Sequence, residues 1–254
     1  MILTLLQTDI VWDDAEANIA VADRLVTANP GADLYVLPEM WATGFVTAPM
    51  ARTLAAAAPA LDWMRRTAAE RRCAVAGSLA VDEGGSLRNR LYFVTPDEVR
   101  YYDKHHLFTY GGEHLHYAPG ADRVVVSWAG ARILLQVCYD LRFPVFARNH
   151  GDYDLALYVA NWPESRQLVW ETLTRARALE NQCFVAAVNR AGRDPLCPYV
   201  GGTLCVDAYG HTLADAGRAD REAVLTVELD LARLARFRTK FPVLSDADAF
   251  RLEA

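Results

Sequence analysis

Three apolar runs in this sequence each end in a polar side chain that could take part in chemistry. Glu39 follows Leu-Tyr-Val-Leu-Pro, Lys104 follows Tyr-Tyr-Asp, and Cys138 follows Ile-Leu-Leu-Gln-Val. A thiol that attacks an amide needs a base to form the thiolate and an acid to protonate the departing ammonia, and one carboxyl group with a raised pKa can do both. A nearby ammonium group favours the thiolate and the oxyanion of a tetrahedral intermediate. These residue types therefore indicate nucleophilic attack on a carbonyl carbon, provided that the fold brings them together.

Each of the three residues also has an ordinary structural interpretation. A cysteine after an apolar run is usually part of the core, a lone Glu is usually solvated, and Lys104 could pair with its neighbour Asp103. The segment Tyr-Asp-Leu-Arg-Phe-Pro144 after Cys138 favours the reactive interpretation. Since proline suits the first turn of a helix, we expect Cys138 at a strand-to-helix elbow whose backbone N–H groups can hold an oxyanion.

Apolar strand patterns alternate with amphipathic helical patterns along the chain. The sequence predicts strands at 2–7, 34–37, 73–81, 91–95, 99–103, 123–128, 132–138, 154–160, 183–189, 202–207 and 223–229. It predicts helices at 14–28, 59–72, 164–181 and 231–238. Turn signals at Pro96-Asp97 and Ala129-Gly130 predict two hairpins, so the sheets should be mixed. The predicted class is α/β, in which ligands bind beyond the carboxyl ends of strands, where the three polar residues lie.

Bulk properties restrict the possible classes of protein. A chain of 254 residues without a linker predicts a single domain over residues 1–254. A net charge of −6 argues against nucleic acid or an anionic membrane as the partner. The sequence shows neither a signal-peptide pattern nor an apolar run of about 18 residues, the length that a membrane span requires. Five irregularly spaced cysteines do not form a disulfide framework, so we expect a reducing cytoplasm, with Cys73 and Cys183 in the core.

Taken together, the three polar segments resemble the nitrilase superfamily of carbon–nitrogen hydrolases, in which a Glu, a Lys and a Cys act in that chain order. The matching segments are Leu-Pro-Glu39, Tyr-Asp-Lys104-His-His-Leu-Phe and Val-Cys138-Tyr-Asp-Leu-Arg-Phe-Pro. The resemblance continues through Ala-Asn-Trp-Pro163 and covers nearly the whole chain. It implies a four-layer α-β-β-α sandwich with mixed sheets, often assembled as a homodimer, and an enzyme without cofactor or metal.

The resemblance also implies a role for each site residue. Glu39 would be the general base and acid, and Cys138 would form a thioester acyl-enzyme. Lys104 and the backbone N–H of Tyr139 would stabilise the oxyanion, and water activated by Glu39 would release the acid. Glu113, in Gly-Gly-Glu-His-Leu-His-Tyr, would orient the lysine or the substrate.

Within the superfamily, the sequence most resembles the omega-amidase branch, which hydrolyses 2-oxoglutaramate and 2-oxosuccinamate. Such a substrate carries an amide at one end and a 2-oxo acid at the other, so its pocket needs a cationic or N–H-rich patch away from the thiol. Arg142 is a candidate clamp for the carboxylate, although it could instead pair within its own loop. Candidate pocket residues are Phe45, Tyr139, Trp162 and His116, although core packing is an equal interpretation for a lone aromatic side chain.

Other functions stay open on the sequence alone. Another amidase of the superfamily, acting on deaminated glutathione or an N-carbamoyl compound, would use the same triad, and loops at 109–120 and 193–201 would set the pocket length. A metal hydrolase could use the histidines of this region, namely His105, His106, His114 and His116. However, the sequence contains no C-x-x-C or H-E-x-x-H spacing, and His114 and His116 lie two residues apart, as on a strand. A non-catalytic binding module would show no fast-reacting cysteine on alkylation.

Overall fold

The computed structural model describes residues 1–252 of the chain. Its strands are β1 (Ile2–Gln7), β2 (Leu34–Val36), β3 (Ala74–Glu83), β4 (Ser86–Val94), β5 (Val99–Asp103), β6 (Val125–Trp128), β7 (Ala131–Val137), β8 (Leu155–Ala160), β9 (Phe184–Asn189), β10 (Ala191–Arg193), β11 (Pro198–Val200), β12 (Leu204–Val206), β13 (Thr212–Asp215) and β14 (Ala223–Glu228). Its α-helices are α1 (Ala15–Ala28), α2 (Ala51–Ala55), α3 (Ala57–Arg71), α4 (Gln167–Glu180) and α5 (Leu231–Lys240). Among residues 1–252, no helix is long and apolar enough to cross a membrane.

Two six-stranded sheets form the centre of the molecule. The strand order is β14-β1-β2-β3-β4-β5 in the first sheet and β13-β12-β9-β8-β7-β6 in the second. In each sheet the three strands β1-β2-β3 or β7-β8-β9 run parallel, and the remaining pairs are antiparallel. Both predicted hairpins, β4-β5 and β6-β7, are confirmed, so the sheets are mixed as expected.

The two sheets pack face to face, and helices cover both outer faces. The core between the sheets contains Leu3 and Leu5 of β1 together with Ile133 and Leu135 of β7. Helices α1 and α3 pack on the outer face of the first sheet, and α4 packs on the outer face of the second. Strands buried on both faces, such as β2, β8 and β9, therefore appear as continuous apolar runs. The arrangement is the predicted four-layer α-β-β-α sandwich.

The helix boundaries follow local signals. The Asp14 side chain accepts a hydrogen bond from the Ala17 N–H at 3.0 Å and caps α1. The predicted helix over 164–181 begins as a 3-10 turn, Glu164–Arg166, and continues as α4. Helix α2 and the short strands β10, β11 and β13 were not predicted, because the segments that contain them are short and carry no clear hydrophobic period.

The elbow after β7 differs from the prediction. A 3-10 helix, Cys138–Arg142, begins at the cysteine itself, and no α-helix begins at Pro144. The Asp140 side chain accepts the Val137 N–H at 2.9 Å, which turns the chain immediately after the strand. The expected sharp turn therefore exists, but a buried aspartate forms it and the proline takes no part.

Candidate active site

The three polar residues at the strand ends meet in one place. Glu39 lies three residues beyond β2, and Lys104 directly follows β5 of the same sheet. Cys138 directly follows β7 of the facing sheet. The Lys104 Nζ lies 2.8 Å from Glu39 Oε1, and the Cys138 thiol lies against the same carboxylate. The fold thus places a carboxylate, an ammonium group and a thiol at one edge of the two sheets.

Glu39 is fully buried and is surrounded by hydrogen-bond donors. Its Oε1 accepts from Lys104 Nζ and from Asn89 Nδ2, both at 2.8 Å. Its Oε2 accepts the backbone N–H of Asn161 at 2.9 Å. Asn161 follows β8 of the second sheet, and its Nδ2 also donates to the Glu39 backbone carbonyl. The carboxylate is therefore fixed from both sheets. Its Oε2 lies beside Asn161, whose backbone contacts Cys138.

A second carboxylate, Glu113, shares the lysine. Lys104 Nζ lies 2.9 Å from Glu113 Oε2, and the Phe108 N–H donates to the same oxygen at 2.6 Å. Burial alone would lower the pKa of Lys104, but the carboxylates of Glu113 and Glu39 outweigh it and raise the pKa above its usual value. Burial raises the pKa of Glu113, and Lys104 opposes that shift. The lysine therefore stays an ammonium group between two carboxylates, and the alternative pairing with Asp103 is absent because Asp103 pairs with Arg90.

Asn89 and Ser78 complete this buried network, and the sequence analysis missed both. Ser78 Oγ accepts the Met40 N–H and donates to Asn89 Oδ1, each at 2.8 Å. Because the Oδ1 is occupied by a donor, the Asn89 amide must turn its Nδ2 toward Glu39 and Glu113, at 2.8 and 3.1 Å. A polar residue within a largely buried strand is the signal that could have found Asn89, since asparagine is depleted in strands and buried polar groups require partners.

Cys138 has an unusual backbone conformation. Its φ is +45°, in the left-handed region that non-glycine residues rarely adopt, and such strain costs about 1–3 kcal/mol. Asp140 stabilises the turn, because it accepts the Tyr102 hydroxyl at 2.8 Å and the His106 N–H at 3.0 Å in addition to the Val137 N–H. These bonds connect the cysteine elbow of the second sheet to the segment that carries Lys104 in the first.

The surroundings of Cys138 favour the protonated form of its thiol. Burial is the largest cause that raises its pKa well above the usual range, and the Glu39 carboxylate raises it further. Lys104 lowers the pKa, as expected from the sequence, but its contribution is smaller. A thiolate therefore forms only as the proton moves to a base, and Glu39 is the carboxylate beside it.

A cavity of about 200 Å³ opens beside Cys138. Its lining residues are Phe45, Thr47, Phe108, Tyr110, Gly111, Cys138, Tyr139, Arg142, Asn161, Trp162, Pro163, Arg166, Asp194, Leu196, Cys197 and Tyr199. The candidate pocket residues Phe45, Tyr139, Arg142 and Trp162 are among them. Both loops expected to set the pocket length contribute to its walls.

His116 does not reach the cavity. It follows the 3-10 turn Glu113–Leu115, which turns Glu113 inward and leaves His116 exposed. His114 is exposed in the same turn, so the expected strand spacing of the two histidines is wrong. Within residues 1–252, no group of three or more His, Cys, Asp or Glu side chains is placed to hold a metal ion.

Two arginines and one aspartate carry the charge of the cavity wall. The Arg142 Cζ lies 5.1 Å from the centre of the Trp162 ring, and the Arg166 Cζ lies 5.2 Å from that of Phe108. Arg142 does not pair within its loop, because Asp140 is occupied by other partners. Arg166 and Asp194 were missed by the sequence analysis, since only the folded loops bring them to the cavity.

All five cysteines are free. Cys73 and Cys183 are fully buried, as expected, and so is Cys205. Cys197 is half-buried in the cavity wall. Cys138 is thus the cysteine that combines access to the cavity with a neighbouring carboxylate and ammonium group, an arrangement suited to attack on a carbonyl carbon.

Comparison with known proteins agrees with this chemistry. The family model for carbon–nitrogen hydrolases matches residues 2–239. The chain is 47% identical to the omega-amidase YafV of Escherichia coli K12 over 98% of each chain, and 34% identical to the 2-oxoglutaramate amidase of Bacillus subtilis over 96% of each. Among solved structures, XC1258 from Xanthomonas campestris, which carries an arsenic adduct in its active site, superposes with a TM-score of 0.93 at 40% identity, covering 100% of this chain and 99% of that one.

Proposed function

This chain belongs to the carbon–nitrogen hydrolase family, within the nitrilase superfamily, and we propose that it is an omega-amidase. It hydrolyses the terminal amide of 2-oxoglutaramate or 2-oxosuccinamate to ammonia and the dicarboxylic acid. The observation that carries the proposal is the buried Glu39–Lys104 pair against Cys138, whose thiol opens on an aromatic cavity that also contains arginine. The similarity to the two curated amidases supports the choice of substrate.

The first half of the reaction forms a thioester. Glu39 takes the Cys138 proton as the sulfur attacks the amide carbon, and the carbonyl oxygen becomes an oxyanion. Lys104 and the backbone N–H of Tyr139 stabilise that oxyanion. When the intermediate collapses, Glu39 returns the proton to the nitrogen, the C–N bond breaks and ammonia leaves. Glu113 keeps the lysine in place through its 2.9 Å contact.

The second half releases the acid. Glu39 takes a proton from water, the hydroxide attacks the thioester carbon, and the same two donors stabilise the new oxyanion. The C–S bond then breaks, and the thiolate of Cys138 regains its proton from Glu39. One water is consumed and one ammonia is formed per amide. Through both halves Arg142 binds the distal carboxylate, while Phe45 and Trp162 form apolar walls.

The test is ammonia release from 2-oxoglutaramate by the purified protein, with Cys138→Ala as the control. Rapid release that the substitution abolishes is the expected result. No release from correctly folded wild-type protein would contradict the substrate assignment. Activity on deaminated glutathione or an N-carbamoyl compound would then indicate another amidase of the superfamily.

We further propose that residues 1–254 act as a single domain in the cytoplasm and as a homodimer. The core shared by the two sheets supports a single domain, and five free cysteines fit a reducing compartment. Three exposed apolar side chains lie near one another around α5, namely Leu179, Tyr209 and Phe241. They form an apolar face suited to bind a second copy of the chain. Sedimentation equilibrium measures the dimer, and Tyr209→Glu is expected to weaken it.

A further inference from the structure

We propose that Arg166 is a second anion-binding residue of the cavity, which works with Arg142 to select amides of 2-oxo acids over amides of 2-amino acids. The inference rests on the proposed function and names the residue that sets its substrate preference. It concerns the far end of the substrate, since the amide end is held by Cys138 and its neighbours.

The first observation is that the two cavity arginines lack internal partners. Apart from Arg142 and Arg166, every buried or half-buried arginine in residues 1–252 donates to a carboxylate or to a backbone carbonyl. In the same part of the chain, the guanidinium groups of Arg142 and Arg166 make neither a hydrogen bond nor an ion pair, although both are half-buried. A charged group that has lost part of its water without gaining a partner is costly, so a bound anion would offset the loss.

The second observation is how the two guanidinium groups are held. Arg142 belongs to the 3-10 helix that begins at Cys138 and lies over the Trp162 ring. Arg166 ends the 3-10 turn that follows β8 and lies over the Phe108 ring. Its Cζ is also 5.9 Å from the centre of the Tyr110 ring. Ring faces position a guanidinium without neutralising its charge or using its N–H donors. Each arginine is thus placed by an aromatic residue, and its donors stay available to a ligand.

The third observation is that the nearby carboxylates offer little to a cation. Asp194 is the one carboxylate among the described residues that line the cavity. Its Oδ1 accepts the N–H groups of Leu196 and Cys197 at 2.7 and 2.8 Å, and its Oδ2 accepts the Tyr199 hydroxyl at 2.5 Å. Glu39 and Glu113 are engaged by Lys104. Among the described residues of the wall, the charged groups without a partner are therefore the two arginines.

Two arginines without a partner in the cavity wall fit the carboxylate and oxo oxygens of a 2-oxo acid. Its carboxylate and its 2-oxo group present three acceptor oxygens, which two planar guanidinium groups can share. An amide of a 2-amino acid, such as glutamine, presents an ammonium group where the oxo oxygen would lie. That ammonium group would face two arginines and find no free carboxylate among the described residues that line the cavity, so like charges would disfavour its binding.

The experiment compares Arg166→Gln with wild type on 2-oxoglutaramate and on glutamine. Loss of a charge-assisted contact is expected to raise KM for 2-oxoglutaramate about tenfold or more, with a smaller change in kcat. The value of kcat/KM for glutamine should stay the same or rise, so the preference for the oxo acid amide falls about tenfold. The matched control is Arg100→Gln, which removes an exposed arginine on β5 outside the cavity.

A binding measurement separates this inference from the proposed function. Calorimetry with 2-oxoglutarate, which carries the same 2-oxo acid end, should give weaker binding to Arg166→Gln than to wild type. Unchanged KM, preference and 2-oxoglutarate affinity in the variant would overturn the role of Arg166 and leave an active omega-amidase. If wild type released no ammonia from either 2-oxo amide, the proposed function would fail. The calorimetry alone would then decide the role of Arg166, and equal affinities of the two proteins would refute it.

Discussion

A buried charged network of Glu39, Lys104, Glu113 and Asn89, here called the floor, lies behind the cavity beside Cys138, and the wall of the cavity carries Arg142 and Arg166. The floor is out of contact with water, and each of its charges has an internal partner within about 3 Å. The arginines of the wall are half-exposed and have no such partner among the described residues. Both regions lie beside the same thiol. The charged groups of the floor already have partners within the fold, whereas the arginines of the wall are available to a ligand.

The physical consequence concerns what a substitution removes. On the floor, deleting one partner leaves another charge buried and unpaired, which destabilises the folded state as well as the transition state. On the wall, deleting an arginine removes a contact that forms only when a ligand binds. We therefore expect floor variants to lose kcat and stability together, and wall variants to lose affinity alone.

The largest effect is expected from Lys104→Met. Glu39 and Glu113 would then face each other without a cation, so the free energy of unfolding should fall by about 3–5 kcal/mol. Loss of the oxyanion partner should lower kcat by about 10³-fold or more. Urea unfolding and ammonia release measure the two effects. The control is Lys240→Met, which removes the only other lysine of the chain, an exposed residue at the end of α5.

The pH dependence of the Lys104→Met variant tests the same pairing. Burial raises the pKa of Glu113 and Lys104 opposes that shift, so loss of the ammonium group should raise the pKa further in the folded state. A folded-state pKa above the unfolded value means that stability falls as pH rises. The variant should therefore recover part of its stability between pH 7 and pH 5. If its stability matched wild type throughout that range, the floor would not depend on the ion pairs.

The next largest effect is expected from Glu39→Gln, which separates catalysis from thiol reactivity. Loss of the general base should lower kcat by about 10²–10⁴-fold. After burial, the Glu39 carboxylate is the largest contribution that raises the pKa of Cys138, so its removal should lower that pKa. The variant should consequently react faster than wild type with iodoacetamide near pH 8. Equal or slower alkylation would show that Glu39 does not act on the thiol in this way.

Asn89→Ala should have an intermediate effect. Two buried carboxylates would each lose a donor, which costs about 1–3 kcal/mol of stability. Asn89 lowers the pKa of Glu113, so its loss should raise that pKa and move to higher pH the acidic limb of the kcat profile, where protonated Glu113 no longer pairs with Lys104. A purely structural role would lower stability and leave that limb in place. Asn29→Ala, at the end of α1 and away from the cavity, is the matched control.

The comparison also explains which parts of the site the sequence could reveal. Glu39, Lys104 and Cys138 became candidates because each follows a predicted strand, a pattern that is local in the chain, and the family resemblance assigned them to one site. Asn89 was missed because its partner Glu39 lies 50 residues away, and no local pattern records such a contact. Pro144 suggested a helix because the sequence does not show that Asp140 already satisfies the backbone of the turn.

The wall was less predictable than the floor for a related reason. Arg142 was a candidate because it lies in the segment that begins at Cys138. Arg166 lies 24 positions beyond Arg142 in the chain, and its place beside Phe108 depends on how two loops fold over the cavity. His116 illustrates the opposite error, since it was a candidate pocket residue and the 3-10 turn Glu113–Leu115 leaves it exposed outside the cavity. Loop geometry, not residue type, decides which side chains line the wall.

The smallest effect is expected from Arg142→Gln, and it gives the most direct test of the difference between wall and floor. The substitution should raise KM for 2-oxoglutaramate about tenfold, because a guanidinium–carboxylate contact is lost, while kcat changes by less than about threefold. Stability should change by under about 0.5 kcal/mol, since no internal partner is left unpaired. His116→Ala, which alters an exposed side chain outside the cavity, should leave both kinetic constants at their wild-type values. If Arg142→Gln lost as much kcat or stability as Asn89→Ala, Arg142 would have an internal partner in the free protein. The distinction between the floor and the wall would then fail.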